Sequence, residues 1–365
     1  MASTASRLGK PVLAKNGKPL TIAGQTIIHG TVHDLHLDYS QSYTGIDVHV
    51  PVRVVASPKP GPIVFFTGVV HGDELNGLGI IRELVFDNEL PLKRGVVIAV
   101  PVVNILGMDS HQRYLPDRRD PNRCFPGSAK GSLTGRLTNL VYTEIIKKSD
   151  YGVDLHTAAI RRTNYPNIRA DLDDPRVADL ARSTGLDLIV HSKGPSGSLR
   201  REACKRKIPT IVIEAGEVSK IEPGIVELVT RGSRNLLRHL KMVTTRAIRT
   251  EKQLEVRKSV WIRAEYGGIL KYHARPGDVV KKGQLLATNQ NIFGKVQNQL
   301  YAPDDGIIQG CTTMPAVKPG EPVFHLALPG FQYEELAKNF GARNRDPLHR
   351  KVRRELATSL TLETT

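Results

Sequence analysis

The stretch PIVFFTGVVHGDELNGLGIIRELVF, residues 62–86, decides the fold. It opens with PIVFFTG (62–68), a short run that is branched and apolar on both faces, as a buried strand is. It closes with LNGLGIIRELVF, whose apolar residues recur at helical spacing. A strand, a tight loop and a helix in immediate succession form the βα unit of an α/β fold. The loop between them, GVVHGDELNG (68–77), carries His71 and Glu74 at H-x-x-E spacing. Ligands on the loop after a strand converge at the carboxyl edge of a sheet, where α/β sites form. Imidazole nitrogen and carboxylate oxygen are both natural zinc ligands.

The same texture repeats outward from this unit. GVVIAVPVV (95–103), YGVDLHT (151–157), LDLIVHS (186–192) and PTIVIEAG (209–216) read as further strands. TGRLTNLVYTEIIKK and PRVADLARSTG, which lie between them, have helical spacing. Residues 46–250 are therefore expected to form an α/β domain with a mixed, mainly parallel sheet and flanking helices. Residues 1–45 are polar, with short β-like stretches, and read as a β-rich extension. Residues 256–330 are rich in Gly and Pro, with short apolar runs and no long helix, which predicts a small all-β domain. Residues 331–365 carry Glu, Lys and Arg at helical spacing and read as a basic C-terminal helix or a mobile tail.

Three further segments carry chemistry. YGVDLHTA (151–158) places His156 at the end of another buried strand. His71, Glu74 and His156 plus a water would make the open, catalytic zinc geometry, and a zinc-bound water ionises near neutral pH. PTIVIEAGE (209–217) ends in Glu214, a carboxylate that such an apolar strand tolerates only if it is paired or functional. Beside an activated water it can act as general base and then as general acid. RYLPDRRDPNRCFPG (113–127) is dense in Arg, with Asn122 and Arg123 adjacent. Arginine holds carboxylates bidentately and Asn adds a neutral donor. An Arg directed at a scissile carbonyl also stabilises the developing oxyanion. Each signal alone has a bland reading: a chance H-x-x-E, a strand-end histidine, a buried salt-bridge carboxylate, a solvated turn. Their force is that all four fall at strand ends of one α/β domain.

The bulk properties set the outer limits. The formal net charge is +16 and the pI about 9.8, which suits an acidic ligand, an anionic surface or merely a solvated basic exterior. No RNP-type aromatic run or zinc-finger spacing is present, so no nucleic-acid partner is expected. Cys124, Cys204 and Cys311 are far apart and lack metal-ligand spacing, which points to a reducing compartment. The N-terminal MASTASRLGKPVLAKNGKPL has no apolar core of a signal peptide, and no segment has the length of a membrane span. A cytoplasmic protein with no membrane partner is the expectation.

HGDE, DPNRCFPG, DLHT and IEAGE, in that order, resemble the succinylglutamate desuccinylase and aspartoacylase family, part of the wider zinc carboxypeptidase group. The resemblance covers roughly residues 46 to 330, and D-x-N-R-x-F-P-G is its most distinctive motif. It implies a zinc carboxypeptidase-like fold with one zinc ion per chain on His71, Glu74 and His156. It implies Glu214 as the catalytic carboxylate, and Asn122 and Arg123 as holders of a substrate carboxylate. Asp120 would orient a zinc histidine, and Arg113 would polarise the carbonyl. Two extra residues separate Arg113 from the DPNR motif, which leaves Arg118 and Arg119 open for that role. Pro121 stands where the family more usually has Leu. SLRREACKRK (198–207) offers Arg200 or Arg201 for substrate recognition, or a solvated helix face.

RPGDVVKKGQLL followed by YAPDDGII resembles a lipoyl or biotinyl carrier domain, a barrel-sandwich, with Lys295 at the carrier position. GKV replaces the usual Met-Lys-Met or Asp-Lys-Ala flanks, so a lid or structural module is expected there rather than a modified lysine. The activity implied is that of a deacylase: zinc-dependent hydrolysis of the amide bond in a small anionic N-acyl amino acid. The alternatives are a zinc peptidase or glutamyl hydrolase acting on a larger acidic chain, and a zinc-free binding protein of the same fold.

Overall fold

In the computed structural model of the protein, residues 9–15, 17–41, 45, 47–244, 253–341, 346–358 and 360 are described. Four parallel strands make the centre of the main sheet: Val96–Val100, Ile63–Gly68, Tyr151–His156 and Thr210–Glu217, in that order. Ile63–Gly68 and Val96–Val100 are buried along their whole length, as strands covered on both faces must be. Phe66 packs into one core with helices Asn76–Val85, Pro175–Ser183 and Pro223–His239. Its neighbour Phe65 points the other way, into a second core with helices Leu133–Glu144 and Leu199–Lys205. The alternation of the strand thus builds two cores from consecutive residues.

The flanks of the sheet are antiparallel. On one side Asp47–Ala56 pairs with Val96–Val100, and Val32–Gln41 pairs with Asp47–Ala56. Val32–Gln41 buries Leu35, Leu37 and Tyr39 and turns Asp34, His36 and Asp38 outward, the alternation of a strand with one wet face. This strand comes from the polar N-terminal stretch and runs as an integral edge of the main sheet.

On the other side, Arg162–Ala170 pairs antiparallel with Thr210–Glu217. The segment RTNYPNIRA had no strand signature in the sequence, because Asn164, Pro166 and Asn167 interrupt its apolar run. Its register with Thr210–Glu217 shifts between Glu214 and Gly216. Pro166 sits in that irregularity, the place where a sheet accepts proline.

Beyond it, Gly306–Thr312, Pro322–Leu328 and Lys258–Arg263 extend the same sheet. Gly268–Tyr272, Leu285–Gln290, Val296–Tyr301 and Ala316–Val317 form a separate four-stranded sheet over a third core around Tyr272, Leu286 and Phe324. The C-terminal β unit is therefore joined to the α/β body by backbone hydrogen bonds, with Gly310 opposite Asn164 and Cys311 opposite Thr163. Lys295 is exposed, at the end of the turn between two of its strands. The helix Pro347–Glu355 sends Leu348 and Val352 into the core that holds Phe66. Its Glu355 carboxylate accepts the Gly224 amide at 2.8 Å. No helix among the described residues is long and apolar enough to cross a membrane.

Two close approaches hold the strand ends in place. A Cβ on Gly68 would stand 2.9 Å from the backbone of Gly77, so the first helix starts almost in contact with the strand that precedes it. Between them Val69, a β-branched residue, is held at φ 50°, a costly left-handed conformation that turns the chain sharply ahead of His71. In the next strand, a Cβ on Gly152 would fall 2.0 Å from the ring of the buried Phe65. Gly152→Ala is accordingly expected to destabilise the protein by about 1–3 kcal/mol through overpacking. A urea midpoint equal to that of the wild type would show that the ring is free to move.

Candidate metal centre

His71, Glu74 and His156 come together at the carboxyl edge of the parallel strands, all buried. The Nδ1 atom of His71 lies 2.7 Å from Oε1 of Glu74, and Nδ1 of His156 lies 2.7 Å from Oε2. Each ring's other nitrogen faces a second carboxylate. Nε2 of His71 is 3.0 Å from Asp120, and Nε2 of His156 is 2.9 Å from Asp154. Thr67 in turn donates to Asp154 at 2.7 Å. A ring held by a carboxylate on one nitrogen while the other faces a common point is how metal-binding histidines are oriented.

The charges are consistent with a cation at this point. Burial by itself would raise the carboxyl of Glu74, but the two imidazoles beside it hold it well below the usual range. Burial by itself would lower His156, but Asp154 and Glu74 push it well above its ordinary value. His71 is likewise raised by Glu74 and Asp120 against the effect of its burial. Three carboxylates thus surround two imidazoles. The donor set of two nitrogens and one carboxylate, with ligand atoms within 4.8 Å of one another, fits a zinc ion. A second grouping, Asp171, Asp173 and His191, is more open. There Asp173 is already paired with Arg257 at 2.9 Å and Lys193 at 3.5 Å.

A cavity of about 350 Å³ opens over the buried triad, lined in part by Arg113, Asn122, Arg123 and Glu214. Arg113 donates to Oε1 of Glu74 at 2.6 Å. Arg118 and Arg119, the other two candidates for the carbonyl, do not line the cavity. The Asn122 amide oxygen accepts the backbone N–H of Leu199 at 2.9 Å, which leaves its nitrogen on the His156 side, at 3.4 Å. Arg123 donates to the Asn122 carbonyl and is otherwise exposed. Asp120 caps this short turn by accepting the Asn122 amide at 2.8 Å while it faces His71.

Glu214 is the register partner of His156 on the neighbouring parallel strand. Its carboxylate accepts from Asn164 at 3.2 Å and lies 3.3 Å from Nε of Arg169. Of the two arginines left open in the 198–207 segment, Arg200 faces the cavity and Arg201 does not. Arg200 is 4% exposed and donates to Ser192, and burial lowers its pKa to about 10.

Several wall residues carried no signal in the sequence. Arg162, Asn164 and Arg169 come from the interrupted strand, and Trp261 and His325 come from the C-terminal β unit. Trp261 and His325 stack with ring centroids 4.2 Å apart, and the Arg162 guanidinium lies 5.1 Å from the Trp261 ring. Burial, with Arg169 and Arg162 nearby, lowers His325 to about 4.

Known proteins resemble this chain in sequence and fold. Residues 60–240 match the model of the succinylglutamate desuccinylase/aspartoacylase catalytic domain. The chain is 26% identical over 294 residues to the N-alpha-acetyl-L-2,4-diaminobutyric acid deacetylase of Halomonas elongata, covering 77% of this chain and 86% of that protein. The crystal structure of a succinylglutamate desuccinylase/aspartoacylase from Rhodobacter sphaeroides superposes with a TM-score of 0.70 at 25% identity, over 81% of this chain and 95% of that one. The product-bound ectoine utilization protein EutE (DoeB) of Ruegeria pomeroyi shares the fold, with a TM-score of 0.71 at 21% identity over 81% and 95% of the two chains. With a strand-end H-x-x-E, a second strand-end histidine and the DPNR turn assembled around one cavity, residues 60–240 form a catalytic domain of the succinylglutamate desuccinylase/aspartoacylase family.

Proposed function

We propose that this protein is a zinc-dependent deacylase that hydrolyses the amide bond of a small, anionic N-acyl amino acid. The observation that carries this reading is the convergence of His71, Glu74 and His156, each imidazole backed by a carboxylate, beside Glu214 in one cavity. The name of the Halomonas elongata relative, a deacetylase of an acetylated amino acid, supports the same reaction class. The cavity volume of about 350 Å³ suits a small molecule and counts against a larger acidic chain as substrate.

Zinc held by His71, Glu74 and His156 would supply an acidified water and a Lewis acid for the acyl carbonyl. The protein's own groups do the rest. Asn164 and Arg169 fix the Glu214 carboxylate, which takes a proton from the attacking water and returns one to the departing amine. Arg113, placed against Glu74, donates to the carbonyl oxygen as negative charge develops on it. Arg123 and the Asn122 amide nitrogen hold the substrate carboxylate. The cavity wall sets Arg113, Arg123, Arg162, Arg169 and Arg200 against only Glu74 and Glu214, so it favours a substrate with more than one negative group.

Glu214→Gln is expected to lower kcat by about 10²- to 10⁴-fold while zinc content, read by elemental analysis, stays at the wild-type level. Near-normal turnover would remove Glu214 from this role. His156→Ala should release zinc on dialysis against a weak chelator that leaves the wild type loaded. Equal retention by both proteins would place the metal elsewhere.

A panel of N-acetyl amino acids tests the charge of the wall. Acidic side chains should give the highest kcat/KM and cationic ones the lowest. Arg200→Gln should raise KM for the acidic substrate by roughly tenfold. A flat or reversed order across the panel would overturn selection by charge.

A further inference from the structure

The excess of positive charge is not confined to the cavity above the metal centre. A second hollow, of about 600 Å³, is lined by Arg275, Pro347, Arg350, Arg353 and Arg354. Among the described residues, it shares no lining residue with the first. Three of the arginines project from the C-terminal helix Pro347–Glu355, and Arg275 comes from the Arg275–Asp278 turn of the β unit. Among the described residues, no acidic residue lines it.

Among the described residues, Asp278 is the carboxylate paired with this cluster. It pairs with Arg353 and lies 3.9 Å from Nε of Arg275. The helix's own carboxylates are engaged elsewhere. Glu355 accepts the Gly224 amide, and Asp346 accepts the Leu348 amide and faces His349. Among the described residues, no carboxylate lies within ion-pair distance of Arg350 or Arg354. These two stand at i and i+4 on one face, where like charges disfavour the helix. The helix is nevertheless well anchored, with Leu348 and Val352 buried and His349 facing Asp187 at 2.9 Å. The anchored helix therefore presents Arg350 and Arg354 to solvent from a fixed backbone.

We propose that this hollow binds a compact, multiply charged phosphate group carried by a small molecule. Guanidinium forks match phosphate oxygens bidentately, and the +16 charge of the chain steers anions towards it. An extended nucleic-acid strand fits less well. Such strands are tracked by a groove of cations interleaved with aromatic faces, whereas these cations close on one hollow with no aromatic residue among the described ones that line it. Because the arginines belong to two separate elements, the bound phosphate ties the C-terminal helix to the β unit.

The test is calorimetric titration of the zinc-loaded full chain with ATP, against KCl of equal ionic strength, with inorganic phosphate as competitor and a uridine oligonucleotide as a separate arm. Saturable ATP binding that phosphate displaces is expected. It should weaken roughly tenfold or more in Arg350→Gln/Arg354→Gln and persist in Arg123→Gln, which alters only the first cavity. Arg275→Gln, on the other element, gives an independent variant should the helix variant lose its circular-dichroism signal. The proposal fails if ATP binds no better than chloride, or if it binds the folded variants at Arg350/Arg354 and Arg275 as tightly as the wild type. It also fails if the oligonucleotide binds tightly and ATP does not.

Discussion

Glu74 keeps its charge although its side chain is almost wholly buried, and the surrounding structure is arranged around that requirement. A buried carboxylate is stable only when it is paired and hydrogen-bonded. Here its two oxygens face two imidazoles, an arginine and the backbone amide of Thr157. The imidazoles in turn face Asp120 and Asp154, and Asp154 is held by Thr67. The chain of contacts runs from the first strand through its loop to the next parallel strand and out to the DPNR turn. Each member is oriented by the next, so the site is assembled from the protein's own charges.

What the sequence made legible was local. His71, Glu74, His156 and Glu214 stand at the ends of runs whose apolar character marks them as buried strands, and a polar residue in such a run calls for a reason. The DPNR turn was readable because its spacing is dense and unusual. Asn164 and Arg169 were hidden because proline and asparagine break up their strand, and its place in the sheet depends on pairing with Thr210–Glu217. Trp261 and His325 reach the cavity only because Gly306–Thr312 pairs with Arg162–Ala170 across more than a hundred residues of chain. Whether Arg200 or Arg201 faces the cavity likewise turned on the position of one helix against the sheet, which spacing within SLRREACKRK does not define.

The same pairing changes how the C-terminal β unit is understood. A tethered module held by side-chain contacts could swing. This one continues the main sheet, and backbone hydrogen bonds across Gly310–Asn164 and Cys311–Thr163 fix its attitude. Trp261 and His325, stacked on each other, thus form a wall of the cavity on the same sheet that carries Asn164 and Arg162.

The register between Tyr151–His156 and Thr210–Glu217 sets Glu214 directly beside His156. Side chains on a strand change face with every residue. A single insertion or deletion within Thr210–Ile213 would leave the strand's composition and hydrogen bonding almost intact, yet turn Glu214 to the opposite side of the sheet. The phase of Glu214 relative to His71, Glu74 and His156 is therefore written in residue count as much as in residue identity. A change of length that the loops could absorb would thus be felt at Glu214 if it fell within Thr210–Ile213.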